Sequence, residues 1–247
     1  MGDARSTASH APDLPEVCSV LTPVARTSLA DEVTKKLRTG ILTGTIRPGE
    51  RIREQEVSAA MKTSRGPVRD ALLRLEHEGL VRREPNHSAM VVEYTADDVE
   101  EVHSLRLSLE LLALRYVVEQ SREEDFLRLE AAADALREGL AKGVSLQDAV
   151  DLDLGMHEEF VKASHHQRVL TLWQSIKPQV WFLIFSRNAE AIKNFQDAIG
   201  THADLLDALR RRDFPKGKAI IEEHLDFAYI NMLANFRERT AAASTAT

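Results

Sequence analysis

The amino-acid sequence predicts a mainly α-helical protein with a small N-terminal domain and a larger C-terminal helical bundle. Aromatic residues make up only 5% of the 247 residues, and the chain has 11 glycines and 8 prolines. This composition disfavours β-rich and low-complexity architectures. Apolar residues recur at helical spacing from residue 95 nearly to the end, which predicts successive helices. The extended runs that we predict lie close together, at Leu80–Glu84 and Ala89–Glu93.

The N-terminal elements are typical of a winged helix-turn-helix. A first helix with apolar residues on one face ends at Gly44, and a short helix over Glu54–Lys62 follows. Ser64 is placed to cap a third helix, which ends at Gly79. The two extended runs around Pro85–Ser88 then form a hairpin, the wing.

The C-terminal part predicts an antiparallel all-helical bundle of ordinary domain size. Capping residues such as Thr95, Ser121 and Ser145 precede its first three helices. The six predicted helices run approximately over 95–120, 121–141, 145–163, 167–186, 189–212 and 213–239. We divide the chain into a disordered tail at 1–25, the winged domain at 26–93, the helical domain at 95–239 and a second disordered tail at 240–247.

Composition and charge exclude several classes of protein function. A single cysteine excludes a disulfide scaffold and a thiolate zinc finger. We expect no membrane partner, because no apolar run approaches the ~20 residues of a membrane span, and we expect a cytoplasmic protein, because the N-terminus lacks a signal-peptide pattern. The net charge is -7, yet residues 26–92 hold 13 Lys+Arg against 9 Asp+Glu, a net of +4, and the rest nets -11. A basic module joined to an acidic one permits nucleic-acid contact by the first part.

The third helix of the N-terminal domain has the layout of a DNA-recognition helix. Val68, Leu72 and Leu75 form an inner apolar stripe, while Arg65 and Arg69 are four residues apart on the opposite face. Guanidinium groups at the start of such a helix bind guanine edges or phosphates in the major groove, and a capping serine can hold a phosphate oxygen. The alternative is a solvated helix face that carries two arginines.

Four residues of the C-terminal domain predict a metal centre. Asp153 and His157 are one turn apart on the third helix of the bundle. His202 and His224 each lie 11 residues from Asp213, about 16 Å along the two arms of an antiparallel hairpin at 1.5 Å per residue, so they should sit level. Three imidazoles and a carboxylate suit a divalent ion such as zinc, nickel, cobalt or manganese. The alternative is a set of hydrogen-bonded histidines with a surface aspartate.

The N-terminal domain resembles the GntR family of bacterial regulators. The resemblance rests on three segments, which are Leu42–Arg51, Ser64–Leu72 and Leu75–Val81. It implies that Arg65 and Arg69 contact operator DNA, and that the wing tip near His87 approaches the minor groove.

The C-terminal domain is similar to the ligand-sensing FCD domain of the FadR branch of that family. The matching segments are Arg106–Glu110, Asp153–His157, His202–Leu209 and Glu223–Leu225. The resemblance implies that Asp153, His157, His202 and His224 are metal ligands. A small carboxylate effector could fill an open coordination position, and Arg106 could pair with a second carboxylate. A surface salt bridge from Arg106 to Glu110 is the alternative.

These observations predict a DNA-binding transcription regulator, not an enzyme, that acts as a homodimer on an operator and responds to a metal and a small carboxylate. An alternative is a metal-dependent hydrolase with an attached helical domain, although Val161 occupies the second histidine position of a His-Glu-x-x-His sequence that would start at His157. A further alternative is a DNA-binding protein whose bundle only dimerises.

Overall fold

The computed structural model describes residues 29–185 and 189–245, so the tail predicted at 1–25 lies outside the described residues. Nine helices and three strands occur in these two ranges. In chain order they are α1 Leu29–Leu42, β1 Arg51–Arg53, α2 Glu54–Ala60, α3 Arg65–His77, β2 Val81–Glu84, β3 Ser88–Val91, α4 Ala96–Gln120, α5 Glu123–Lys142, α6 Leu146–Ala163, α7 Gln167–Phe185, α8 Ala189–Arg210 and α9 Phe214–Thr245.

The winged domain is organised around the inner face of α3. Val68, Leu72 and Leu75 are fully buried there and pack with α1 and the sheet in one apolar cluster. The sheet has the order β1-β3-β2, with both pairings antiparallel. The sequence did not predict β1, because a three-residue strand with one buried Ile52 between two exposed arginines gives no periodic signal.

The predicted hairpin is confirmed as β2 and β3. Its turn contains two consecutive residues with positive φ, Asn86 at 64° and His87 at 55°. Three residues connect the paired residues Glu84 and Ser88, and asparagine and histidine adopt the left-handed region more readily than most residues with a Cβ. The turn therefore projects the His87 side chain from the tip, where it is 66% exposed.

The helical domain is a bundle in which α4 packs on α9, α6 packs between α5 and α7, and α8 pairs with α9. Thr95 and Asp98 form a reciprocal capping box on α4, and the Ser145 hydroxyl accepts from Asp148 N on α6. The predicted Ser121 cap is wrong: Arg122 is the N-cap of α5. The Ser121 carbonyl and hydroxyl instead accept hydrogen bonds from Arg212.

The last helix is longer than predicted. α9 continues to Thr245, into the segment predicted as a tail at 240–247, whose last two residues lie outside the described range. Three consecutive alanines at 241–243 have the highest helix propensity and favour this continuation.

The winged domain contacts the helical domain through α7. Gly79, just after α3, has a positive φ of 69°, and its carbonyl accepts a hydrogen bond from the Tyr94 hydroxyl at 3.0 Å. The Tyr94 ring lies 5.2 Å from the Phe182 ring of α7. The end of the recognition helix is thereby attached to a helix of the bundle. None of the helices in the described ranges is long and apolar enough to cross a bilayer.

Candidate metal centre and nucleic-acid surface

Three helices bring the four predicted metal ligands together. Asp153 and His157 lie on α6, His202 on α8 and His224 on α9. One ligand atom from each residue lies within 4.8 Å of every other. The α8–α9 hairpin turns at Asp213, whose carboxylate accepts from Lys216 N at 3.0 Å. This turn sets His202 and His224 level, with ring centroids 4.8 Å apart.

The spacing of these atoms fits a single cation. His157 Nε2 lies 3.2 Å from His224 Nε2, and His202 Nε2 lies 3.6 Å from Asp153 Oδ1. Two ligand atoms that each bind one ion at about 2.1 Å lie roughly 3 to 4 Å apart. Small side-chain shifts therefore separate this arrangement from a coordination shell.

Burial keeps the imidazoles in the form that binds metals. Burial lowers the pKa of His202 to about 4. Burial, together with the nearby imidazoles of His202 and His157, also lowers the pKa of His224 well below its ordinary value. Both rings are neutral at pH 7, so their lone pairs are available to a cation.

Orphaned polar atoms mark the same place. Both ring nitrogens of His202 and Oδ1 of Asp153 are buried without a hydrogen-bond partner among the described residues. Buried polar groups are normally paired, because an unpaired one costs roughly 1–3 kcal/mol. A bound divalent ion would satisfy Asp153 Oδ1 and one ring nitrogen of His202, whereas hydrogen bonds leave these atoms without a partner among the described residues.

A fully buried carboxylate, Glu110 of α4, lies behind the metal cluster. It accepts hydrogen bonds from His157 Nδ1 at 2.8 Å, Arg106 Nε at 2.8 Å and Trp173 Nε1 at 3.2 Å. Burial alone would raise the pKa of Glu110, but His157 and Arg106 outweigh it and hold the pKa well below its usual range. Glu110 is therefore a charged acceptor at neutral pH.

Arg106, the predicted effector residue, is 4% exposed. The salt bridge to Glu110 that we considered as an alternative does exist, but it is buried and not on the surface. It occupies Nε, whereas Nη2 is buried with no hydrogen-bond partner among the described residues. The side chain also lines a small apolar cavity with His103 and Val180. One guanidinium nitrogen is thus left to pair with an anion.

The start of α3 presents the predicted DNA-contacting residues to solvent. Arg65 and Arg69 are exposed, on the side of the helix opposite its buried stripe. Ser64 occupies the N-cap position with an extended backbone, but its side chain makes no capping hydrogen bond. The exposed Ser64 hydroxyl remains available for a phosphate.

Arg69 is not a free guanidinium in this structure. Its Nε and Nη2 each lie 3.3 Å from the carboxylate of Glu54, which is buried at the start of α2. His87 Nδ1 of the wing tip lies 3.9 Å from the same carboxylate. Glu54 thus connects the recognition helix to the wing, and the pairing leaves Nη1 of Arg69 for DNA.

Sequence reasoning missed Glu54, and it considered Glu110 only as a partner of Arg106 and not as the acceptor of the hydrogen bond from His157. A signal for Glu110 was present, since it lies one turn after Arg106 on the same helix face. No local signal identified Glu54, because it meets Arg69 and His87 only after the chain has folded.

Two protein-family models match this chain. The family model described as "Bacterial regulatory proteins, gntR family" matches residues 29–91. The model described as "FCD domain" matches residues 101–227, more than half of the chain. The first match covers the winged domain, and the second covers the four-residue cluster.

Similar proteins are transcription regulators. The gluconate operon transcriptional repressor of Bacillus licheniformis is 26% identical over 77% of this chain and 79% of its own length. The uncharacterised HTH-type regulator YdhC of Bacillus subtilis is 29% identical over 60% of this chain and 66% of its own length. Among solved structures, a putative GntR regulator from Rhodococcus sp. RHA1 has a TM-score of 0.68 at 24% identity, over 84% of this chain and 99% of that chain. The likeness to regulators, not to enzymes, agrees with our expectation.

Proposed function

Because the chain is a DNA-binding transcription regulator of the gntR family with an FCD domain, we propose that this FCD domain binds one divalent metal ion and a small carboxylate effector. The effector then modulates how the winged domains bind an operator. The observation that carries the proposal is the cluster of Asp153, His157, His202 and His224, whose ligand atoms lie within 4.8 Å of one another.

The chemical types of the four ligands restrict which metal ions suit the site. Three imidazoles and one carboxylate favour zinc, nickel, cobalt or manganese over the oxygen-preferring magnesium and calcium. When bound, such an ion supplies a positive charge and one or two open coordination positions. Asp153 contributes the negative charge among the protein ligands.

Arg106 supports an anionic effector. Its buried Nη2 has no hydrogen-bond partner among the described residues, and a buried guanidinium nitrogen is satisfied best by a charge-assisted hydrogen bond. A carboxylate that reaches this nitrogen would bind next to the metal ligands, because Glu110 contacts both Arg106 and His157.

The operator-binding unit is a homodimer. One winged helix buries too little surface for specific affinity, and two copies read two half-sites at a fixed spacing. An effector that favours one relative placement of the two readers changes the fit to that spacing, which is an allosteric coupling between the two sites. The contact of Gly79 with α7 supplies a physical connection between the domains.

The test combines elemental analysis with a stability screen. Purified protein should contain one divalent ion per chain, and His202→Ala should remove it. The matched control is His77→Ala, which replaces an exposed histidine of α3 and should leave the metal content unchanged.

Small carboxylates are then screened by thermal shift, where a ligand at 100 times its dissociation constant should add about 2.7 kcal/mol. A hit should change operator affinity in a fluorescence-anisotropy titration. Full metal content in His202→Ala would contradict the metal assignment, and an effector response in Arg106→Ala equal to that of the wild type would contradict the effector assignment.

A further inference from the structure

We propose that Glu110 is a positioning residue of the metal centre: its carboxylate fixes His157 in the tautomer that leaves Nε2 without a proton and available to the cation. The inference rests on the proposed metal-binding function and extends it to a residue outside the predicted ligand set.

The geometry assigns a separate task to each carboxylate oxygen. Oε1 accepts from Arg106 Nε at 2.8 Å and from Trp173 Nε1 at 3.2 Å. Oε2 accepts from His157 Nδ1 at 2.8 Å. The side chain of Glu110 is 0% exposed, so water cannot replace any of these partners.

An acceptor at Nδ1 determines the tautomer of His157. A carboxylate that faces a guanidinium and an indole N–H is an acceptor, so Nδ1 must carry a proton, and an imidazole that binds a cation through its other nitrogen carries its only proton there. The lone pair then lies on Nε2, which is the atom that faces His224 Nε2 at 3.2 Å. A partner on the second ring nitrogen is the usual way in which a metal-binding histidine is oriented.

Replacing Glu110 by glutamine distinguishes a role in orienting the His157 ring from a role in packing alone. Glutamine has nearly the same shape, but it offers one oxygen where the site needs two acceptors. That oxygen should face Arg106 and Trp173, which are both donors, so the amide NH₂ faces His157 Nδ1. His157 would then accept at Nδ1 and carry its proton on Nε2, in the direction of the cation.

The first experiment measures Zn²⁺ affinity by competition with a chromophoric chelator. Glu110→Gln should bind Zn²⁺ about 10- to 100-fold more weakly than the wild type. The matched control is Glu119→Gln, the same change on the same helix at an exposed residue that pairs with Arg115, and it should bind like the wild type. Equal affinity in Glu110→Gln and the wild type would overturn the proposal.

A second measurement needs no variant, and it decides the question if Glu110→Gln does not fold. The ¹⁵N chemical shifts of the His157 ring in the metal-free wild type should show a protonated Nδ1 and an unprotonated Nε2; the reverse tautomer overturns the inference. If the wild type itself binds no Zn²⁺, the proposed function fails and this inference with it. If the wild type binds and Glu110→Gln binds equally, only the role of Glu110 fails.

Discussion

Replacement of Gly79 by alanine tests the contact between the two domains. Gly79 has a φ of +69°, a conformation that costs a residue with a Cβ about 1–2 kcal/mol. An added Cβ would also lie 2.6 Å from Nε2 of Gln179 on α7. The amide is the end of a flexible side chain, so it can move, at the cost of about 0.5–1.5 kcal/mol for an off-rotamer position. We expect a total loss of roughly 1.5–3.5 kcal/mol.

Gly44 provides the matched control. It also lies in the winged domain and has a φ of +74°, but nothing lies within 4 Å of an added Cβ. Gly44→Ala should therefore lose only the backbone cost, about 1–2 kcal/mol. The difference between the two variants isolates the contact with Gln179.

The assay is urea unfolding followed by far-UV circular dichroism. In the background of Gln179→Ala, the excess cost of Gly79→Ala over Gly44→Ala should disappear, because the opposing amide has been removed. Equal losses for Gly79→Ala and Gly44→Ala in the wild-type background would refute the reasoning. The recognition helix would then not press on α7 at this point.

Three other predictions concern the sites and the bundle. Arg69→Ala should weaken operator binding by about 1–3 kcal/mol in a fluorescence-anisotropy titration, and Glu54→Gln should also weaken it, because the carboxylate that holds Arg69 is lost. Removal of the metal by a chelator should lower the melting temperature of the wild type but not that of His202→Ala, because only the wild type has a complete ligand set. Glu158→Gln should destabilise the protein at pH 7, and the difference in free energy of unfolding should shrink as the pH falls from about 4.5 towards 2. Burial would raise the pKa of Glu158, but hydrogen bonds from Lys177 and Gln174 outweigh it and lower the pKa to about 2. The charged carboxylate therefore stabilises the fold at a pH above the pKa of the unfolded chain. This stabilisation is lost as the pH falls through the lower pKa of the folded protein.

Each of these predictions has an outcome that contradicts it. Unchanged operator affinity in both Arg69→Ala and Glu54→Gln would show that this pair does not contribute to the DNA-binding surface. A chelator shift of the same size in His202→Ala would place the metal elsewhere. A pH-independent effect of Glu158→Gln would mean that Lys177 and Gln174 do not stabilise its charged form.

The fold and the level placement of two histidines could be predicted from the sequence because both depend on the spacing of residues along the chain. Helical periodicity and capping residues such as Thr95 and Ser145 predicted the helices, and the equal distance of His202 and His224 from Asp213 predicted that they sit side by side. The errors were also local, since the cap of α5 is Arg122 and α9 continues to Thr245.

Other contacts depend on how the helices pack together and could not be predicted from residue spacing. The rotation of α6 about its axis brings Asp153 and His157 to the hairpin of α8 and α9, and the burial of α4 turns Glu110 into an acceptor for Arg106, His157 and Trp173. The pairing of Arg69 with Glu54 likewise depends on how α2 meets α3.

By itself, the sequence determined the order and type of most elements, the basic and acidic halves, and the residue types available for a metal and for DNA. Only the tertiary structure decided that Arg106 is buried beside Glu110, that Arg69 is held by Glu54, and that Gly79 meets α7. The physical reason is that periodicity encodes which face of a helix is apolar, whereas the partner that covers the face depends on crossing angles and on contacts between residues far apart in the chain.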